Sequence, residues 1–372
     1  MKILYLCTYY HRAMIFRDAM NALERIGDEV QAFNAVVKNA TIAPKYRSIM
    51  DEKVIHRECF SKWDRFFYPL KQQKIQKALE RSMSVKQYDL LHSHMLFNGG
   101  LVCYWLYHKY HIPYVVTVRS TDINTFLKIP FFKYIARKIV KHASGILFLS
   151  HPYRQTFFER LYGHKTPPSI IGKTSVLPNG LENFWLEHIA DVKTDPHTPL
   201  QLLCIGKIDK NKNMLQIIQV MEKLQKQGIP SQLTIIGQQV DSDVYQQLSN
   251  NPNVQIMNYQ TKENLLTYYR KCDLFILPSI FESFGRVYAE AMTQGLPIVY
   301  TRGQGFDGLF AAGEVGFPVA AHDSDEMTHA IQTILKNYSV ISHRCIANSM
   351  YFNWDEIAHK LHQFYNRSVT KE

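Results

Sequence analysis

No C-x-x-C pair occurs among the six cysteines; Cys7, Cys59, Cys103, Cys204, Cys272 and Cys345 are scattered, several inside apolar, strand-like runs. Buried thiols occupy such places, which argues against a disulfide scaffold and against a cysteine-built zinc site. Long apolar runs are missing too: no stretch reaches the ~18 uninterrupted apolar residues that a spanning helix needs. The opening MKILYLCTYY has a short apolar run without a small-residue cleavage site, so no secretory leader is expected. Glycine is absent from Cys7–Arg12, where a nucleotide-cofactor oxidoreductase would carry G-x-G-x-x-G after its first strand. Short repeats and low-complexity segments are absent as well. These absences lead to the expectation of a cytoplasmic protein whose only contact with a membrane is peripheral, at the cytoplasmic face.

What is present is an ordinary globular composition, 46% hydrophobic and 20% charged over 372 residues. That length suits two domains, each able to bury a core. The formal charge of +11 points to a polyanionic partner: nucleic acid, an acidic membrane surface or a phosphorylated substrate. The excess is uneven. Residues 1–180 hold 27 Lys+Arg against 12 Asp+Glu, whereas residues 181–372 hold 16 against 20. The asymmetry implies a division of labour between halves.

Short apolar runs alternate with helical patterns along most of the chain. Strands are expected at Lys2–Cys7, Glu29–Asn34, Leu90–Ser93, Tyr114–Val118, Ile146–Ser150 and Ser175–Leu177, with helices such as Phe16–Ile26, Gly100–Tyr110 and Phe131–His142 between them. Continuous Val/Ile/Leu runs are what a parallel sheet covered on both faces requires. After the turn Pro178-Asn179-Gly180 and a polar stretch to Pro199, the rhythm restarts at Gln201–Gly206. The fold class expected is therefore α/β: residues 1–180 form one doubly wound domain, 181–200 a linker, and 201–340 a second such domain. Residues 341–372 are a C-terminal helical segment returning toward the first domain.

The densest chemical signal is L-P-S-I-F-E-S-F-G-R-V-Y-A-E-A-M-T-Q-G-L-P over Leu277–Pro297. A strand ends near Pro278, a loop carries Glu282, and a helix opens near Gly285 with Glu290 about a turn and a half inside it. At the carboxyl end of a parallel strand, this aims a carboxylate and helix-end N–H groups into a crevice. Two acids beside an anion-binding helix end suit a ligand with both hydroxyls and phosphates.

This segment resembles the E-x7-E region of the retaining glycosyltransferases of family four. L-C-I-G-K-I-D-K-N-K-N (Leu203–Asn213) and V-L-P-N-G-L (Val176–Leu181) are similar to two further motifs of that family. Y-D-L-L-H-S-H (Tyr88–His94) and V-V-T-V-R-S-T-D-I (Val115–Ile123) also fall where its pattern puts them. The resemblance implies the GT-B fold, two Rossmann-like domains facing across a cleft with a C-terminal helix, and transfer from a nucleotide sugar, UDP-linked, without cofactor or metal. It implies that Lys207 and Lys212 neutralise the leaving diphosphate, as such transition states need. Glu290 would bind the ribose hydroxyls and Glu282 the donor sugar, with the Ser283-Phe284-Gly285 backbone close to sugar and phosphate. Where the family often has a glycine pair after its first strand, Arg12 stands as a candidate phosphate contact. Where it commonly has histidine, this chain has Arg119, which cannot act as a general base and is assigned to phosphate or a polar acceptor group. Asp307 falls roughly where the family carries a glutamate.

Alternatives remain at several positions. Lys207 and Lys212 also suit solvated loops. His94 is either a lining residue of an acceptor site or an ordinary packed histidine; with His92 it forms H-S-H, but no third metal ligand is evident. Asp122 orients Arg119, binds acceptor, or caps a helix. Two basic, aromatic stretches, Phe60–Arg81 and Phe126–Lys141, are either core-packed helices with solvated faces or an interfacial surface for anionic lipid. The family's N-terminal domain usually binds the acceptor, so its basic character suits a membrane-held acceptor, a lipid-linked or cell-surface glycan. Charge alone also allows nucleic-acid binding, but no helix-turn-helix, zinc or aromatic-sheet signature accompanies it, and no nucleic-acid partner is expected. A non-catalytic nucleotide-sugar-binding protein is the remaining alternative.

Overall fold

The computed structural model describes residues 1–40, 52–163 and 165–370, apart from the side chains of Arg12 and Arg65. Its strands, in chain order, are β1 (Lys2–Leu6), β2 (Glu29–Val37), β3 (Val54–Phe60), β4 (Leu90–Ser93), β5 (Tyr114–Val118), β6 (Gly145–Phe148) and β7 (Thr174–Val176), followed by β8 (Leu200–Ile205), β9 (Ser231–Ile236), β10 (Val254–Met257), β11 (Leu274–Leu277), β12 (Ile298–Thr301) and β13 (Gly316–Val319). They form two sheets, ordered β3-β2-β1-β4-β5-β6-β7 and β10-β9-β8-β11-β12-β13. All pairings are parallel; Ile3, for example, lies opposite Val30 on β2 and Leu90 on β4. Each sheet reverses its strand order once, at β1 and at β8, which is the doubly wound arrangement.

Chain contacts divide the protein into one unit of Met1–Gly180 with Trp354–Glu372 and another of Leu181–Asn353. In the first, β1 shows why its run is apolar throughout. Leu4 and Leu6 point into a core beneath the helices Tyr68–Ser82, Gly100–Tyr110 and Pro130–His142. Ile3 and Tyr5 point into a separate core on the opposite face, closed by the helices Ile15–Arg25 and Trp354–Val369. Burial on both faces leaves no position for alternation.

Three expectations change. Residues 181–200 are not a free linker: Asn183–Glu187 is helical, and buried Trp185 packs edge-on against Tyr269 at 5.5 Å within the second unit. The segment 341–372 is divided between the units, because the helix Tyr338–Ser349 belongs to the second and only the chain from Trp354 onward to the first. Strands β3 and β13 were not anticipated. Both are edge strands; β3 exposes Arg57 and Glu58, and β13 reads G-F-P-V, so neither shows a continuous apolar run. An edge is where a strand tolerates proline.

Candidate functional site

In the second unit the strand order reverses at β8, between β9 and β11, and a crevice outside the strand ends is the usual ligand position there. Gly206 and exposed Lys207 leave β8, and a tight turn, Lys210–Lys212, follows. Asp209 caps that turn, its Oδ1 accepting the Lys212 N–H at 2.9 Å. Asn213 then adopts φ 53° and its amide donates to the carbonyls of Pro278 (3.2 Å) and Ala321 (2.5 Å). Asn211 donates to the Phe281 carbonyl at 3.0 Å and accepts the Phe281 N–H at 3.1 Å. The loops after β8 and β11 are thereby stitched together, and Lys212 Nζ meets Glu282 Oε2 at 2.6 Å in a mostly buried ion pair.

A third loop, after β12, fixes the glutamate's backbone. Glu282 donates its N–H to Gln304 Oε1 at 3.0 Å, and its carbonyl accepts the Gly305 N–H at 2.9 Å. The approach is so close that a Cβ on Gly305 would lie 2.1 Å from the Ser283 carbonyl oxygen. Gly285 precedes the helix Arg286–Thr293 at φ 75°, with Tyr288 2.4 Å from where its Cβ would be. A side chain there meets both strain and a clash. Ser283 is exposed, whereas Phe284 is buried against Phe306 and Phe352, so the hydroxyl side of this loop is free for contact and the aromatic side holds it down. Within the helix, Glu290 Oε2 accepts the Tyr269 hydroxyl at 3.1 Å. Burial raises the Glu290 carboxyl above its ordinary range, opposed by Arg286 and the Tyr269 hydrogen bond. Asp307 Oδ2 accepts the Gly303 N–H at 2.7 Å and closes its own loop.

In the first unit, Arg119 follows β5. Its Nε donates to the His94 carbonyl at 3.0 Å, and its guanidinium lies 5.5 Å from the Phe16 ring centre. Asp122 is fully buried and accepts three backbone N–H groups, from Leu96 and Phe97 at 3.2 Å and from Arg119 at 2.9 Å. Burial pushes its carboxyl up to about 6 against those bonds. Of the roles open to Asp122, this geometry is that of a cap binding two loops. His94 is buried in aromatic contact with Tyr5, Phe16 and His92, and its Nε2 has no hydrogen-bond partner among the described residues. Burial, with Arg119 and His92 nearby, holds its imidazole well below the ordinary range, hence neutral. His94, Arg119, Thr117, Tyr5 and Trp354 line a cavity of about 50 Å³ within this unit. Next to it, His92 Nδ1 and the Tyr365 hydroxyl are 2.7 Å apart, and His92 Nε2 and the Thr117 hydroxyl 2.8 Å.

The structure thus joins Lys212 to Glu282, places Ser283, Phe284, Gly285 and Glu290 in the following loop and helix, and gathers Arg119, Asp122 and His94 in the other unit. Lys207 stands exposed beside the first group, and the side chain of Arg12 lies outside the described residues. Asn211, Asn213, Gln304 and Tyr269 were not singled out from sequence. For Asn211 and Asn213 the N-K-N spacing around Lys212 was the only local signal, since their partners lie 65 to 108 residues away; Gln304 and Tyr269 act on Glu282 and Glu290 from 22 and 21 residues away. Among the described residues no cluster of three or more His, Cys, Asp or Glu is placed to hold a metal ion, and no helix is long and apolar enough to cross a membrane.

Comparison with known proteins agrees with this architecture. Residues 15–182 match the model of "Glycosyltransferase Family 4" and residues 187–350 that of "Glycosyl transferases group 1". Relatives include the putative teichuronic acid biosynthesis glycosyltransferase TuaC of Bacillus subtilis, 25% identical over 60% of this chain and 55% of that one. Another is the capsular polysaccharide biosynthesis glycosyltransferase CapM of Staphylococcus aureus, 23% identical over 61% of this chain and 62% of its own. The matched stretch is thus less than two thirds of either relative. Among solved structures, Anabaena Alr3699/HepE in complex with UDP superposes with a TM-score of 0.73 at 17% identity, covering 98% of this chain and 100% of that one. With one family model on each doubly wound unit, the chain belongs to the family-four glycosyltransferases and has the GT-B fold.

Proposed function

We propose that the protein is a retaining glycosyltransferase that moves a sugar from a UDP-linked donor to a lipid-linked or cell-surface polysaccharide acceptor, in the cytoplasm and without a cofactor. The observation that carries this reading is the Lys212–Glu282 pair at the reversal point of the second sheet, with Glu290 a short distance along the adjoining helix. Lys212 and Lys207 take the charge of the departing diphosphate, helped by the N-terminal N–H groups of the helix Arg286–Thr293. Glu282 orients Lys212 and offers its remaining acceptor capacity to sugar hydroxyls. Glu290, backed by Tyr269, accepts hydrogen bonds from the ribose. The acceptor hydroxyl forms its bond to the anomeric carbon on the face from which the diphosphate leaves, and its proton passes to a departing phosphate oxygen. The UDP bound to Alr3699/HepE and the polysaccharide names of the two bacterial relatives support the donor and acceptor classes.

A panel of nucleotide sugars, screened by thermal shift and then by turnover, tests the reading. A true donor raises the melting temperature and is consumed when acceptor is added, with or without a chelator. Lys212→Ala lowers kcat by about 10²–10³, the cost of removing one preorganised charge-stabilising group. Glu290→Ala weakens donor binding, and Glu290→Gln, which still accepts from Tyr269, restores part of it. Stabilisation by donor without turnover identifies a binding protein instead. Unchanged turnover in both alanine variants removes the site assignment.

A further inference from the structure

The two basic, aromatic stretches of the first unit converge on one exposed patch. Tyr68 and Phe132 pack edge-on at 5.0 Å, each at the start of its helix, over Phe97 and Phe126. Around that buried contact the neighbouring apolar side chains turn outward. Trp63 is 75% exposed, Phe66 and Phe67 64% each, and Phe131 and Tyr134 47% and 57%. Packing buries the inner aromatics; the outer ones touch one another or a neighbour, as Trp63 does Phe66 and Phe131 does Phe132, yet keep most or about half of their surface in solvent.

Charge follows the same surface. On the helix Tyr68–Ser82, Leu70, Lys74, Lys77 and Arg81 recur at spacings of four, three and four, so they share one face. The apolar end of the patch therefore continues into a row of cations, joined across a groove by Lys38 and Arg57; the one carboxylate lining that groove, Glu58, accepts the Asn39 N–H at 3.0 Å. Opposing charge is small. Phe60–Arg81 contains two carboxylates, both ion-paired, Asp64 with Lys74 at 2.7 Å and Glu80 with Lys109 at 2.8 Å. Phe126–Lys141 contains none. Lys77, Arg81 and Lys128 make no ion pair among the described residues.

We propose that this patch docks the protein on an anionic phospholipid surface, with Trp63, Phe66, Phe67 and Phe131 entering the headgroup layer and Lys77 and Arg81 meeting lipid phosphates. Trp63 favours the interface because its ring is apolar with one polar N–H, and the phenylalanines gain by burial at the boundary between headgroups and acyl chains. Cations close to the surface are attracted to an anionic leaflet, the more strongly the lower the salt. A protein partner would suit the aromatics but not the carboxylate-poor cation row beside them. Nucleic acid would suit the row but not a cluster of outward phenylalanines with no sheet platform behind it. The proposal goes beyond the donor chemistry and is read without sugar nucleotide, so its failure leaves the transferase reading intact.

The full chain is floated with phosphatidylcholine vesicles with and without phosphatidylglycerol, and Trp63 emission is followed with brominated lipid. Binding is expected only with phosphatidylglycerol, and Trp63 shifts to the blue and is quenched, an effect lost in Trp63→Phe. Lys77→Glu with Arg81→Glu weakens binding about tenfold or more at low salt. Trp63→Ser, Phe66→Ser and Phe131→Ser together leave a weak, salt-sensitive association. These side chains are exposed, so an unchanged melting temperature checks that the variants fold. Equal binding to neutral and anionic vesicles, or none to either, overturns the proposal. So does a dimer that the serine variants dissociate in the absence of lipid. Retention on single-stranded nucleic acid, lost in the charge variant and not matched by vesicle binding, overturns it in favour of that partner.

Discussion

Asp122 gives both carboxylate oxygens to backbone N–H groups, and at this scale its chemistry is structural. One bond, accepted from the Arg119 N–H, ties the third residue of a short helix back to the residue before that helix; the others hold Leu96 and Phe97. In sequence, R-S-T-D shows the first relationship but nothing shows the second, because residues 96 and 97 reach Asp122 only through the fold. The carboxyl is pushed up to about 6 from its ordinary 3.8. A raised acid binds its proton more tightly folded than unfolded. Its stabilising contribution is therefore complete below 3.8 and lost as the pH rises through 6, with a slope of about 1.4 kcal/mol per unit in that window. Carboxyl-carbon NMR of the folded protein should give Asp122 a midpoint near 6; an ordinary midpoint near 3.8 would show that burial does not dominate at this site. The Lys212–Glu282 pair differs in both respects. There the acid touches a lysine at the strand ends, where the strand order reverses, and the K-N-K-N and F-E-S-F-G segments that carry the pair are both legible in the amino-acid sequence.

At the scale of the element, the C-terminal helix Trp354–Val369 decides whether the first sheet has a second core. Trp354, Ile357, Ala358, Leu361, Phe364 and Tyr365 are buried along one face, spaced by threes and fours. That spacing is readable in W-x-x-I-A-x-x-L-x-x-F-Y, so the helix itself was expected. Where the return begins was not legible: Tyr338–Ser349 has the same helical character and stays with the second unit. Nor did sequence indicate the polar link under the helix, where the Tyr365 hydroxyl lies 2.7 Å from His92 and 3.1 Å from the Tyr5 hydroxyl. Burial pushes His92 down to about 3, so the ring is neutral and offers one donor and one acceptor to its two hydroxyl partners. Leu361→Ala should cost about 2–5 kcal/mol by opening a cavity, and Tyr365→Phe about 1–3 kcal/mol by leaving buried polar partners unmet. Urea unfolding monitored separately for the two units is the measurement. Losses confined to the second unit would contradict this helix's placement.

Across the whole molecule, the uneven charge becomes a division between surfaces. The basic half carries a wedge of aromatics with a cation row, while the half with more acids than bases keeps a few placed lysines at its strand ends. A net charge says little about such a site, because two fixed cations and a helix end act over ångströms, whereas the remaining surface charge is screened beyond ~8–10 Å. If the diphosphate is held by these groups, a nucleoside diphosphate should change the protein locally. Hydrogen exchange with saturating UDP should slow in the loops 206–213 and 278–286 and in the first turn of the helix Arg286–Thr293, and much less at the strand ends of the first unit. The reason is geometric: Asn211 and Asn213 already bind the first loop to the second, and Gln304 and Gly305 bind the second to a third. A ligand that clamps Lys212 therefore suppresses the opening of all three together. Binding at 100 times its Kd should add about 2.7 kcal/mol to the stability of the folded state. Protection confined to residues around His94 and Arg119, with these loops unaffected, would move the diphosphate site to the other sheet.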